Sequence, residues 1–113
     1  MTFDPNQSLP QEEVDETVRE TIENNEVVLF MKGTEVMPQC GYSDRALGLI
    51  RQYRDDYETV DVLQSLEEFR AALSEHSGWE TIPQTFVNGE FVGGSDVLAE
   101  LEERGELEET LTN

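Results

Sequence analysis

Apolar positions recur at helical spacing, then in short unbroken or alternating runs, and the switches between these patterns mark out the elements. Val14, Val18 and Ile22 stand at i, i+4 and i+8 and predict one face of a first helix. Ser8 with Gln11 three residues later reads as its capping box, and Asn24-Asn25 ends it. Val27 to Met31 is continuously apolar, the pattern of a central strand buried on both faces. Lys32 to Gln39 holds Gly33 and Pro38 without periodicity and reads as a loop. Ala46, Leu47, Ile50 and Tyr53 mark a second helix from Ser43, and Glu58 to Val62 a second strand. Ser65 with Glu68 is another capping box, opening a third helix along Leu66, Phe69 and Leu73. Thr85–Val87, Asn88-Gly89 and Glu90–Val92 predict a hairpin with a two-residue turn. Ser95-Asp96 then cap a last helix faced by Val97, Leu98 and Leu101, with Gly105 as its C-cap. Glu106 to Asn113 reads as a solvated last turn.

The order α-β-α-β-α-β-β-α implies a parallel crossover followed by an antiparallel hairpin. The expected fold is α/β: a four-stranded mixed sheet with helices on both faces. The 113 residues fit a single domain over 1–113, with 1–10 as a flexible lead-in.

Charge narrows the function. There are 26 acidic and 7 basic residues, a net charge of -19. Nucleic acid and anionic membrane surfaces are disfavoured partners, because both demand basic patches. The acids are spread along the whole chain and Lys32 is the only lysine. Two readings follow: adaptation to a salty cytoplasm, where salt screens self-repulsion, and an acidic surface that meets a partner. Met1 to Gln11 has no basic region and no apolar run, and no stretch reaches membrane-spanning length, so a cytoplasmic protein is expected.

Cys40 is the only cysteine, so no disulfide closes within the chain, and with His76 it is too little for a tetrahedral metal site. A lone cysteine is by default a small buried hydrophobe. Its address changes the reading: after the first strand's loop and just before a helix, a thiol meets unpaired N–H groups and the positive helix end, which favour thiolate. Ser43 stands where a C-x-x-C motif carries its second cysteine, so the thiol lacks an internal resolving partner. Lys32, directly after the central strand, faces the same end of the sheet. Arg70 reads either as a site residue or as a solvated charge paired with Glu67 or Glu68. Thr81-Ile82-Pro83 opens the hairpin, and a cis Ile82–Pro83 bond there would expose backbone groups to a ligand. Gly93-Gly94-Ser95-Asp96 reads as a turn and cap, or as an anchor: a helix start for a carboxylate and Asp96 for an ammonium. Trp79 and Phe86 read as core or core edge, and His76 as exposed.

Together these segments resemble the monothiol glutaredoxins of the CGFS type. Val28–Thr34 resembles the family's first strand and lysine, and Cys40-Gly41-Tyr42-Ser43 its signature, with Tyr42 where phenylalanine is usual. Arg70 stands nine residues before Trp79, as the family's arginine does. Trp79–Gln84, Asn88-Gly89-Glu90, Gly93–Asp96 and Arg104–Leu107 complete a match from about Glu12 to about Leu111, with Glu80 in place of a usual proline.

The resemblance implies a thioredoxin-like (glutaredoxin) fold and a glutathione-type site. Lys32 and Arg70 would hold the ligand's terminal carboxylate, and Ile82 and Pro83 its cysteinyl backbone. Ser95 and Asp96 would hold the γ-glutamyl end, Tyr42 would line the site, and Cys40 would meet the sulfur. It also implies a 2Fe–2S cluster shared between two subunits. The four thiolates would be two copies of Cys40 and two low-molecular-weight thiols, glutathione or γ-glutamylcysteine. Such a protein is a monomer when apo and a homodimer when loaded, and passes the cluster to apo iron–sulfur proteins. The competing readings are a weak glutathione-dependent disulfide oxidoreductase acting through Cys40, and a redox-inert acidic scaffold.

Overall fold

Val27–Met31 form β1, and all five side chains are buried. They are buried because both faces of the strand are covered. Val28 and Phe30 face one apolar cluster, while Val27, Leu29 and Met31 face another. The computed structural model describes residues 8–112; the proposed lead-in over 1–10 lies mostly outside them.

The sheet runs β2-β1-β3-β4, with β2 at Glu58–Asp61, β3 at Gln84–Val87 and β4 at Glu90–Gly93. β1 and β2 are parallel, Phe30 beside Val60. β1 and β3 are antiparallel, Phe30 beside Gln84, and β3 pairs antiparallel with β4. Asn88 (φ 52°) and Gly89 (φ 83°) form the tight turn, the conformation for which an Asn-Gly pair is suited.

On one face α1 (Gln11–Asn24) and α3 (Leu66–Ser77) bury Val14, Val18, Ile22, Phe69 and Leu73. Phe30 is the hub of that layer: its ring lies 5.8 Å from Phe86 edge-on and 6.4 Å from Phe69. Burying one such side chain contributes roughly 1.5–3 kcal/mol. On the other face α2 (Gly41–Arg51), α4 (Ser95–Glu103) and α5 (Leu107–Thr112) bury Ala46, Leu47, Ile50, Leu98, Leu107 and Leu111. The expected mixed sheet with helices on both faces is what the chain forms.

Several local expectations fail, each for a tertiary reason. The acidic terminus is a fifth helix rather than a solvated turn: Leu107 and Leu111 lie four apart and both enter the core. Arg54 holds its end, donating to the Leu111 carbonyl at 2.7 Å while pairing with Glu26. The capping boxes do not form. Pro10, not Ser8, is the N-cap of α1, and the Gln11 side chain reaches Asp15 and the Glu68 carbonyl instead. Ser65 does stand at the start of α3, but its hydroxyl accepts the Leu9 N–H at 2.9 Å. α4 is capped by Gly94, with no side-chain cap bond. Its other end is as expected: Gly105, just past Arg104, is left-handed (φ 73°), its N–H donates to the Glu102 carbonyl at 3.0 Å, and the Glu106 N–H donates to the Leu101 carbonyl at 2.8 Å.

Candidate functional site

Cys40 is the N-cap residue of α2, with extended backbone (φ -149°, ψ 131°), and it is partly exposed. Its thiol is held below the ordinary thiol range. The Ser43 backbone N–H does most; burial opposes it; the Tyr42 N–H, the Ser43 hydroxyl and the Lys32 charge add to the lowering. The arrangement is that of a helix start offering free N–H groups to an anion.

Ser43 does more than vacate a cysteine position. It is fully buried, and its Oγ accepts the Lys32 backbone N–H at 3.0 Å. That bond ties the end of β1 to the first turn of α2. The loop between them closes when the Gln39 N–H donates to the Lys32 carbonyl at 2.9 Å. Lys32 follows β1 as the sequence placed it. Each arginine pairs with a carboxylate, and Lys32 pairs with none among the described residues.

Beside this corner lies a cleft of about 490 Å³ lined by Tyr42, Trp79, Thr81, Ile82, Pro83 and the Phe91–Val97 segment. Its size is within the usual range for small-ligand sites. The Ile82–Pro83 peptide is cis. Gly94 permits a close approach here: a Cβ on it would lie 3.0 Å from the Pro83 carbonyl oxygen, a tight contact. Ser95 is buried at the start of α4, whereas Asp96 is exposed and lies 3.7 Å from Arg45 Nη1.

Five of the proposed residues, Tyr42, Ile82, Pro83, Ser95 and Asp96, thus share one cleft. Cys40 lines an adjoining shallow depression with Pro38, Gln39, Gly41 and Asp44. Lys32 acts on Cys40 through its charge. Arg70 is not brought to the cleft: its Nη1 lies 2.6 Å from Glu67 Oε1, the plainer of its two readings. The expectation of Trp79 as core or core edge fails: it is 60% exposed and forms part of the cleft wall, while Phe86 is core and His76 exposed as expected. Arg45 and Gln84 were given no role from sequence, although Gln84 closes the matched Trp79–Gln84 segment. Arg45 needs the adjacency of α2 and α4 to be noticed, and Gln84 is signalled only by a polar residue inside an apolar strand.

Among the described residues no group of three or more His, Cys, Asp or Glu is placed to hold a metal ion, so Cys40 is one thiolate donor and no more. No helix among them is long and apolar enough to cross a membrane. Comparison with known proteins decides the family: the glutaredoxin family model matches residues 27–92. The chain belongs to the glutaredoxin family. It is a monothiol member, 46% identical over 96 residues to monothiol glutaredoxin ycf64 of Porphyra purpurea, an overlap covering 85% of this chain and 89% of that one. Its fold is thioredoxin-like. It resembles the solution structure of reduced poplar apo GrxS14 (TM-score 0.74, 38% identity, covering 87% of this chain and 89% of that one). It also resembles the buckwheat glutaredoxin–glutathione complex (TM-score 0.76, 28% identity, 90% of each chain).

Proposed function

We propose that this glutaredoxin binds a 2Fe–2S cluster as cargo, with a low-molecular-weight thiol, and passes it to apo iron–sulfur proteins in the cytoplasm. The observation that carries the reading is Cys40: a lone thiol held toward thiolate at a helix start, with Ser43 buried and hydrogen-bonded where a resolving cysteine would stand. One chain offers one thiolate, and a cluster needs four ligands. Two chains and two small thiols complete the set, so the loaded form is a dimer and the empty form a monomer. The cleft beside Cys40 suits a γ-glutamyl thiol, glutathione or γ-glutamylcysteine. Ile82, Pro83, Ser95 and Asp96 line it, and Lys32 acts on Cys40 through its charge.

The same thiolate supports a second reading, glutathionyl transfer. Cys40 attacks the glutathione sulfur of a protein mixed disulfide; the new S–S bond joins Cys40 to glutathione, and the client leaves as thiolate. A second small thiolate then attacks the glutathione sulfur, forming the small-molecule disulfide and releasing Cys40. Anaerobic reconstitution with iron, sulfide and glutathione separates the readings. The carrier gives a brown dimer with thiolate-to-iron absorption, and Cys40→Ser keeps the fold but holds no cluster. Stoichiometric cluster in Cys40→Ser would overturn the site. Rapid mixed-disulfide turnover by a wild type that never holds a cluster would replace the carrier with the enzyme.

A further inference from the structure

We propose that Gln84 is the positioning residue of the cleft: its buried amide fixes the Trp79–Pro83 wall and thereby sets affinity for the thiol ligand. This rests on the reading of the cleft as a thiol-ligand site.

Gln84 opens β3 and is 1% exposed, a polar side chain in a strand whose four residues are all buried. Its Nε2 donates to the Trp79 carbonyl at 2.7 Å and to the Thr81 carbonyl at 3.1 Å. Both hydrogens of one amide nitrogen therefore go to one loop. The orientation is fixed by chemistry, since a flipped amide would set its oxygen against two carbonyl oxygens. The other end, Oε1, is buried with no partner among the described residues. A buried acceptor without a partner is destabilising, so Gln84 is not explained by its contribution to the core. What it does is bridge a segment that has no regular secondary structure of its own. Trp79 is 60% exposed and gains little from packing. Its other hold is Ser77, whose Oγ accepts the Trp79 N–H at 3.0 Å and donates to the Trp79 carbonyl at 3.1 Å. Without the Gln84 bridge, the Trp79–Thr81 stretch would be held only by Ser77 on one side and by the packing of Ile82 against the core on the other. A ligand would then have to order it on binding, and that cost appears directly as lost affinity.

Cys40 sits on α2 and does not depend on this bridge, which gives the test its contrast. Gln84→Met keeps the side chain's length and removes both donors. Three readouts on the full chain decide. Trp79 is the only tryptophan, so its fluorescence anisotropy reports the wall without any ligand, and it should fall in Gln84→Met. Affinity for glutathione should weaken about tenfold, the loss expected for about 1.4 kcal/mol of lost hydrogen bonding. Alkylation of Cys40 by iodoacetamide, a small neutral reagent, should stay within about twofold. Unchanged anisotropy, or unchanged affinity in a wild type that binds glutathione, overturns the proposal. So does a parallel loss of affinity and alkylation rate, which would mark general damage. If wild type binds no glutathione, the thiol-site reading falls by itself, and the anisotropy still decides whether Gln84 holds the wall. Should the variant not fold, hydrogen exchange of the Gln84 side-chain amide in wild type serves. It should be at least about a hundredfold slower than that of the exposed Gln52 and Gln64, and exchange at their rate overturns the bridge.

Discussion

Ser43→Ala separates the two tasks of one buried hydroxyl. As an acceptor it takes the Lys32 N–H at 3.0 Å; as a donor it is one of the groups that lower the Cys40 thiol. Losing the acceptor leaves a backbone N–H without its partner, which costs about 1–3 kcal/mol when the group is buried. This bond is only partly buried, so the low end applies, about 1 kcal/mol, or a fall in Tm of about 4–8 °C for a domain of this size. Losing the donor raises the Cys40 pKa, but the Ser43 and Tyr42 N–H groups survive the substitution, and the first of these is the largest lowering influence. The thiol should therefore stay below the ordinary thiol range and alkylate more slowly than in wild type, yet faster than free cysteine. The sign of the linked stability follows. A thiol depressed in the folded state contributes nothing where both states are protonated. Its contribution grows as pH rises through the folded pKa and is complete above the unfolded value of about 8.5. Wild type should thus gain stability with rising pH across that window, Ser43→Ala less, and Cys40→Ser not at all from this group. The assay is the iodoacetamide rate against pH, beside thermal melts at each pH. A Cys40 titration unmoved by Ser43→Ala, or one shifted more by Lys32→Ala, would refute the ranking of causes.

Lys32→Ala should weaken glutathione binding and shorten cluster lifetime while lowering Tm by no more than a few degrees, because the ammonium has no ion pair among the described residues to lose. Unchanged cluster lifetime, followed by absorbance under chelator challenge, would return Lys32 to an ordinary surface charge. With a net charge of -19, Tm measured by calorimetry should rise steeply from dilute buffer to molar KCl, as the screening length shrinks from about 30 Å to about 3 Å. A flat response would favour an acidic partner surface over salt adaptation.

What was legible in the sequence is what depends on burial pattern. Val27–Met31 announced a strand covered on both faces, and the helix faces and Asn88-Gly89 turn followed from spacing and turn chemistry alone. What was not legible depends on partners far along the chain. Ser8 and Ser65 match the capping-box pattern, yet Leu9 takes the Ser65 hydroxyl across 56 residues. Leu107 and Leu111 carry a helical spacing that the surrounding acids masked; the sheet face they cover lies more than seventy residues earlier, in β1. Trp79 shows the converse: its size argues for burial, but the cleft needs a wall there. The motif located Cys40 and Ser43, and only coordinates reveal that the serine staples strand to helix.

The placement of the few cations bears on how so acidic a chain would hold the proposed anionic ligand beside a thiolate. Six arginines are engaged with carboxylates, among them Arg45 with Asp96 at the cleft and Arg70 with Glu67 away from it. The positive potential left at the site comes from Lys32 and from free N–H groups at the starts of α2 and α4. These groups act through contacts of a few ångströms. The remaining carboxylates are spread over the surface and act at longer range, where salt screens them. Added salt therefore removes the opposition to a negative charge while leaving its local support nearly intact. At an ordinary anion site salt competes with exposed cations and weakens capture. Here the main donors toward Cys40 are backbone N–H groups fixed by the fold, so the salt expected to stabilise the domain should also favour the thiolate. Salt tolerance of the fold, if the melts show it, and reactivity of Cys40 would then be two consequences of one charge distribution.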